Sequence, residues 1–221
     1  GRLSEIAARI EHIPKLLYHW RQLPGSIAKD SGAKPNISEL QCAAVNEQLT
    51  RLKLPAKAVI ASPHHQLHVA PESPAKPERV SIIVAHTRDH IAASENLAVC
   101  LHSIYLNSED SNYEVILVSD DVNAVTTPGI RGMVERLSLR QFYLPGSFSY
   151  ARAYNLGAQH VESASLLFLN SLVKVNTPDW INHLVYYAAQ PSVGAAGGLL
   201  LSADGSVQSA GIAVGAAGVT N

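Results

Sequence analysis

The chain has 221 residues, 47% of them hydrophobic, with a formal net charge of −1 and a pI near 6.9, which gives enough apolar material for a substantial core and excludes the basic footprint of a nucleic-acid binder. No apolar run reaches the roughly 18–20 residues of a membrane-spanning helix, and residues 1–21 carry charges throughout, unlike a secretory signal. The two cysteines, Cys42 and Cys100, form neither a C-x-x-C pair nor a disulfide framework, which points to a reduced, cytoplasmic setting.

In chain order, residues 1–54 read as a helical leader. Ile6, Ile10, Ile13, Leu16 and Leu17 recur at helical spacing, and Ser38 with Gln41 forms a capping-box signature before Leu40, Ala44, Val45 and Leu49. Turn material, Leu23-Pro24-Gly25-Ser26 and Ser31-Gly32, separates the two. Residues 55–78 hold Pro55, Pro63, Pro71, Pro74 and Pro77 and read as a proline-rich linker. His64, His65 and His68 in this stretch are the most tempting metal cluster, but the prolines favour extended chain and exposed histidines.

From Arg79 onward strands and helices alternate. Val80–Ala85 (VSIIVA) is a continuous, β-branched apolar run, as expected of a strand buried on both faces. A helix over Ala93–Leu106 follows, then a strand over Glu114–Val118 closed by Ser119-Asp120-Asp121, a weaker helix near Gly129–Leu137 and a strand around Leu139–Tyr143. Ser149–Val161 reads as helix and Ser165–Leu169 as strand. Thr177-Pro178-Asp179-Trp180 opens another helix with a hydroxyl cap and an early proline. Val193–Leu201 reads as strand, and Asp204-Gly205 as a hairpin turn before Val207–Val214. The alternation predicts an α/β fold with a mostly parallel sheet flanked by helices. Ligands of such sheets bind at the carboxyl ends of the strands, here loops 86–92, 119–127 and 170–176.

Several chemistries are disfavoured at those loops. His86-Thr87-Arg88-Asp89-His90 contains no glycine for a dinucleotide pyrophosphate, and no G-x-x-x-x-G-K-[ST] loop occurs anywhere. There is no G-x-S-x-G elbow for a serine nucleophile. The loops do offer hydroxyl, guanidinium and carboxylate groups, which suit a base, a ribose or a phosphate, although Asp89 and Asp120-Asp121 also suit plain caps and turns. His86 and His90 border the first loop, and a surface role is the simpler reading of both. Trp20 and Trp180 are read as packing anchors.

The blocks VSIIVAHTRD, YEVILVSDD, FSYARAYNLGA, LLFLN, TPDWINHLV and PSVGAAGGLLLSADGSVQSAGI occur in this order. Together they resemble family 2 glycosyltransferases with the GT-A (Rossmann-like) fold, over about residues 79–221. The resemblance is to the bacterial branch that builds O-antigen and related surface polysaccharides. The leader Ile13-Pro14-Lys15-Leu16-Leu17-Tyr18-His19-Trp20-Arg21, followed by Pro24-Gly25-Ser26, is similar to the segment that precedes such a domain in multi-domain members. This suggests that the chain, which begins at Gly1 and stops at Asn221, is a piece of a tandem enzyme truncated within its GT-A domain.

The resemblance implies a nucleotide-diphosphate sugar as donor. It places nucleotide-sugar contacts at Thr87, Arg88, Asp89, Asp120 and Asn155, with Gly157 completing an Asn-x-Gly; Arg152, one turn earlier, is positioned to reach a phosphate. It also implies a glycan or lipid-linked glycan acceptor, inversion at the anomeric carbon, and action at the cytoplasmic face of the inner membrane beside neighbouring glycosyltransferase domains. The carboxylate base expected of inverting members belongs beyond residue 221. Relatives carry two aspartates after LFLN, the last holding the usual Mg²⁺ or Mn²⁺, where this chain has Asn170-Ser171-Leu172. No metal site is therefore expected. Three readings remain open: a metal-dependent transferase, a transferase in which Arg88, Arg152 or Lys174 replaces the cation, and a non-catalytic GT-A scaffold.

Overall fold

A computed structural model describes residues 6–11, 13–19, 23, 25, 36–61, 66–72, 78–109, 111–211, 213–215 and 218–220. The chain divides into two compact units, Gly1–Glu72 and Ser73–Asn221. Among the described residues no helix is long and apolar enough to cross a membrane.

In the first unit, helix α1 (Ile37–Arg51) lies on a two-stranded antiparallel sheet of β1 (Ala56–Ala61) and β2 (Gln66–Pro71). The Asn46 amide pairs with the backbone of Ala58, receiving its N–H at 2.7 Å and donating to its carbonyl at 3.1 Å. A helix side chain thus takes the place of a neighbouring strand. Three expectations change here. The hairpin occupies the stretch expected to be a linker: Pro55 precedes β1 and Pro71 ends β2, where a missing N–H costs little. The helix begins one residue before Ser38, which is buried inside its first turn instead of capping it. The residues described between 7 and 19 form no helix. Ile6, Ile10, Ile13, Leu16 and Leu17 are 61–94% exposed, so among the described residues the periodic stripe has no partner that buries it, and Pro14 removes a helical N–H. His64, His65, Trp20, Pro63, Pro74 and Pro77 lie outside the described residues.

The second unit is built on a four-stranded parallel sheet. Its strands are β3 (Val80–His86), β4 (Tyr113–Ser119), β5 (Arg140–Tyr143) and β6 (Ser165–Asn170), in the spatial order β5-β4-β3-β6. The chain runs from β3 outward through β4 and β5, then returns to add β6 on the other side of β3. That reversal makes β3 the switch point, with a crevice at its carboxyl end.

Alternation along β3 supplies both faces. Ile82 and Val84 join Leu97, Cys100, Leu101 and Ile104 of α2 (Ala93–Asn107), with Val115, Leu117, Ile130, Leu137 and Ile181 completing that layer. Ile83 and Ala85 join Ile116, Val118, Leu144 and Ala153 on the opposite side, under α5 (Tyr150–Ala158). Coverage of both faces explains the uninterrupted VSIIVA run. Gly157 of α5 sits so close to the sheet that a Cβ there would stand 2.5 Å from Ile83 Cγ2.

The weak helix expected near 129–137 is two short turns, α3 (Pro128–Arg131) and α4 (Met133–Arg136). The helix expected to open at Thr177 is α6 (Trp180–Ala188). Asp179, at φ +58°, forms a left-handed corner before it, and Trp180 Nε1 donates to Ser108 Oγ at 2.8 Å while its ring packs on the core. Of Val193–Leu201, only β7 (Leu200–Leu201) is strand. It pairs antiparallel with β8 (Val207–Ser209) around the expected turn, where Gly205 has φ +83°. The glycines and alanines of 194–198 have no apolar bulk to bury and stay out of a sheet. The chain continues through β9 (Ala213–Gly215) and β10 (Gly218–Thr220), paired antiparallel.

Candidate functional site

The parallel register fixes what meets at the carboxyl edge. His86 is opposite Ser119, and Ala85 is opposite Asn170. The residues just past those pairs, Thr87, Asp120 and Ser171, are therefore neighbours although far apart in sequence. Thr87 Oγ1 donates to Asp120 Oδ2 at 3.0 Å, and the Arg88 backbone N–H donates to Asp120 Oδ1 at 3.0 Å. Asp89 N–H in turn donates to Thr87 Oγ1 at 3.3 Å. Asp120 and Thr87 are buried, while Arg88 and Asp89 are exposed at the tip. One carboxylate thus folds the loop after β3 and leaves two charged side chains facing solvent.

A second linkage joins β3 to β6. His86 Nδ1 and Ser171 Oγ are 3.1 Å apart, and Ser171 N–H donates to the Ala85 carbonyl at 3.1 Å. The sequence suggests a surface role for His86, but it is only 2% exposed, because the β6 loop closes over it. Burial lowers its pKa from the ordinary value, with Asp120 and Asp121 opposing that shift and His90 adding to it. The imidazole is accordingly neutral at pH 7.

Tyr150, at the first turn of α5, connects a third loop. Asn170 Nδ2 donates to its hydroxyl at 2.9 Å, and His90 Nε2 lies 2.9 Å from the same oxygen. Asn170 Oδ1 receives the Leu172 N–H at 2.9 Å. Sequence reasoning does not single out Tyr150. The available signal is its position directly after a strand-end loop, where a helix start must lie near the carboxyl edge.

The structure brings Thr87, Arg88, Asp89 and Asp120 into one cluster, with Asn170, Ser171 and Leu172 beside it through His86 and Tyr150. Arg152 is not linked to them: its guanidinium donates to the carbonyls of Ser147 and Pro145 and shapes the β5–α5 loop. Asn155 is exposed on α5, and Gly157 meets the sheet. Two hollows of the unit lie elsewhere, one lined by Thr126, Pro128, Arg131, Gly132 and Glu135, the other between the end of α2 and the turn after α4, and neither includes a residue of the rim that these loops form at the carboxyl ends of β3, β4 and β6.

A divalent cation does not fit the β6 loop. Asn170 uses both ends of its amide internally, Ser171 Oγ is paired with His86, and Leu172 has no donor. Among the described residues no three His, Cys, Asp or Glu side chains come together as metal ligands.

No protein-family profile matches the chain. It is 31% identical over 220 residues to the O-antigen biosynthesis protein RfbC of Myxococcus xanthus, covering 98% of this chain and 16% of that protein. It is 32% identical over 213 residues to the uncharacterized protein y4gI of Sinorhizobium fredii (strain NBRC 101917 / NGR234), covering 96% of this chain and 23% of that protein. The chain therefore spans less than a quarter of the length of these relatives. Among solved structures, the mannosyltransferase PcManGT from Pyrobaculum calidifontis, in complex with GDP-Man and Mn²⁺, aligns over 72% of this chain and 43% of its own, with 18% identity and a TM-score of 0.46.

Proposed function

We propose that residues 79–221 form a nucleotide-sugar-binding region of the family 2 glycosyltransferase type, serving the assembly of a bacterial surface glycan. The observation that carries this reading is the cluster of Thr87, Arg88, Asp89 and Asp120 at the carboxyl end of the switch-point strand, where ligands of doubly wound sheets bind. Similarity along 98% of the chain to an O-antigen biosynthesis protein supports the surface-glycan assignment. In this reading, the exposed Asp89 carboxylate accepts hydrogen bonds from base or ribose, and Asp120 holds the loop that presents it. The acceptor is a glycan or lipid-linked glycan at the cytoplasmic face of the membrane. Other parts of a longer chain supply the general base, and transfer proceeds with inversion.

A second reading, a non-catalytic module within a tandem enzyme, is favoured by one observation: Asn170, Ser171 and Leu172 offer no carboxylate. Thermal-shift titration with UDP, GDP, dTDP and CDP separates the two. A ligand that binds only the folded state, at 100 times its dissociation constant, adds about 2.7 kcal/mol. Stabilisation by one nucleotide supports the nucleotide-sugar reading, and no shift with any of them sinks it in favour of the scaffold.

A further inference from the structure

We propose that the rim holds a nucleoside diphosphate without a divalent cation, the charge of the phosphates being met by the Arg88 guanidinium. This rests on the nucleotide-sugar reading above and adds the source of the compensating charge.

A diphosphate needs positive charge beside it, from a hard cation with oxygen ligands or from guanidinium and ammonium groups. The β6 loop cannot provide the first without dismantling itself. Turning Asn170 and Ser171 toward a cation would break the bonds to Tyr150, Leu172 N–H and His86, leaving the buried imidazole without its partner. Those same bonds tie the β3, β6 and α5 loops together, so the rim is already closed by hydrogen bonding where a metal would otherwise draw loops toward a ligand.

Arg88 meets the opposite requirements. Its backbone is fixed to the sheet through Asp120, yet its side chain is exposed, and among the described residues its guanidinium makes no hydrogen bond or ion pair. A guanidinium stays charged at every working pH and offers a planar fork of donors matched to phosphate oxygens. Arg152 is unsuited, because its donors are held by the carbonyls of Pro145 and Ser147. Lys174 is on the loop that follows β6, and its ammonium, a strongly hydrated point charge on a flexible stem, lacks the fork that matches two phosphate oxygens. The carboxylates left at the rim, Asp89 and Asp121, lie on the β3 and β4 loops and not on β6.

The test is calorimetric titration of the chain with the nucleoside diphosphate selected above and with its monophosphate, in EDTA and in excess Mn²⁺. We expect the same affinity for the diphosphate in both conditions, and a loss of about tenfold in Arg88→Ala. The monophosphate should lose less, and Arg88→Lys should recover part of the affinity. Leu172→Asp, at an exposed position, should acquire Mn²⁺-dependent binding that the natural chain lacks. Unchanged melting temperatures of these surface variants exclude misfolding as the cause. Binding by the natural chain that requires Mn²⁺ overturns this proposal and leaves the nucleotide-sugar reading standing, as does unaltered affinity in Arg88→Ala. Absence of binding to any nucleotide in either condition overturns both.

Discussion

Gly157 and Ile83 touch across the interface of α5 with the sheet, at a separation that leaves no room for a single methyl group. The nearest atoms to a methyl carbon added there would be branched side-chain atoms of Ile83 and Val118, both held in the buried layer between sheet and helix.

Gly157→Ala should therefore destabilise the second unit by about 1–3 kcal/mol through overpacking, despite the better helix propensity of alanine. A urea unfolding midpoint clearly below that of the natural chain, at unchanged m-value, is the expected result. A midpoint at or above the natural one would mean that the helix can lift off the sheet at little expense.

Asp120→Asn should loosen the loop that carries Arg88 and Asp89. The carboxylate accepts from Thr87 Oγ1 and Arg88 N–H; an amide has one acceptor oxygen, and its NH₂ would face a donor. The expected loss is about 1–3 kcal/mol, and nucleotide affinity should fall with it. Proteolysis within residues 87–92 should accelerate in parallel, a readout independent of any ligand.

Acid should weaken the fold through His86. Its folded-state pKa is lowered by burial, so between that value and the ordinary 6.5 the unfolded chain binds more protons. The contribution is complete above 6.5 and is lost as the pH falls through that window. The drop in urea midpoint between about pH 7.5 and about pH 5.5 should shrink in His86→Gln, the remaining histidines titrating alike in both chains. Ser171→Ala, which leaves the buried Nδ1 without its partner, should lower stability by about 1–3 kcal/mol at neutral pH.

Cys100 should be silent toward thiol reagents in the native protein. It is fully buried in the layer between α2 and the sheet, and burial pushes its pKa up to about 12, so thiolate is scarce as well as inaccessible. Labelling of Cys100, followed by mass spectrometry of its peptide, should proceed only at the opening rate of the sheet. Rapid labelling under native conditions would contradict the core described above.

The sheet was legible because burial on two faces writes itself into composition. The VSIIVA run predicts β3, and its alternate residues separate onto the two layers. The rim was legible only in part. Thr87, Arg88 and Asp120 could be placed at strand ends, but the pairing of His86 with Ser171 joins residues 85 positions apart and depends on a register that no local pattern encodes. Tyr150 reads as ordinary helix for the same reason. Periodicity also says which face a helix would bury and not whether a partner exists. Hence the stripe from Ile6 to Leu17 suggests a helix that its described residues from Ile10 onward do not form, while the proline-rich stretch conceals a hairpin with Pro55 just before its first strand and Pro71 at the end of its second.

β6 is the terminal strand of the sheet, and along it Leu166 and Phe168 remain 40% and 52% exposed. For anyone concentrating the protein, the consequence is colloidal: an apolar strand whose outer edge pairs with no other strand among the described residues is a template on which strands of other molecules can grow. A lysine in place of Leu166 would put a charge on this seam and should lower aggregation on concentration.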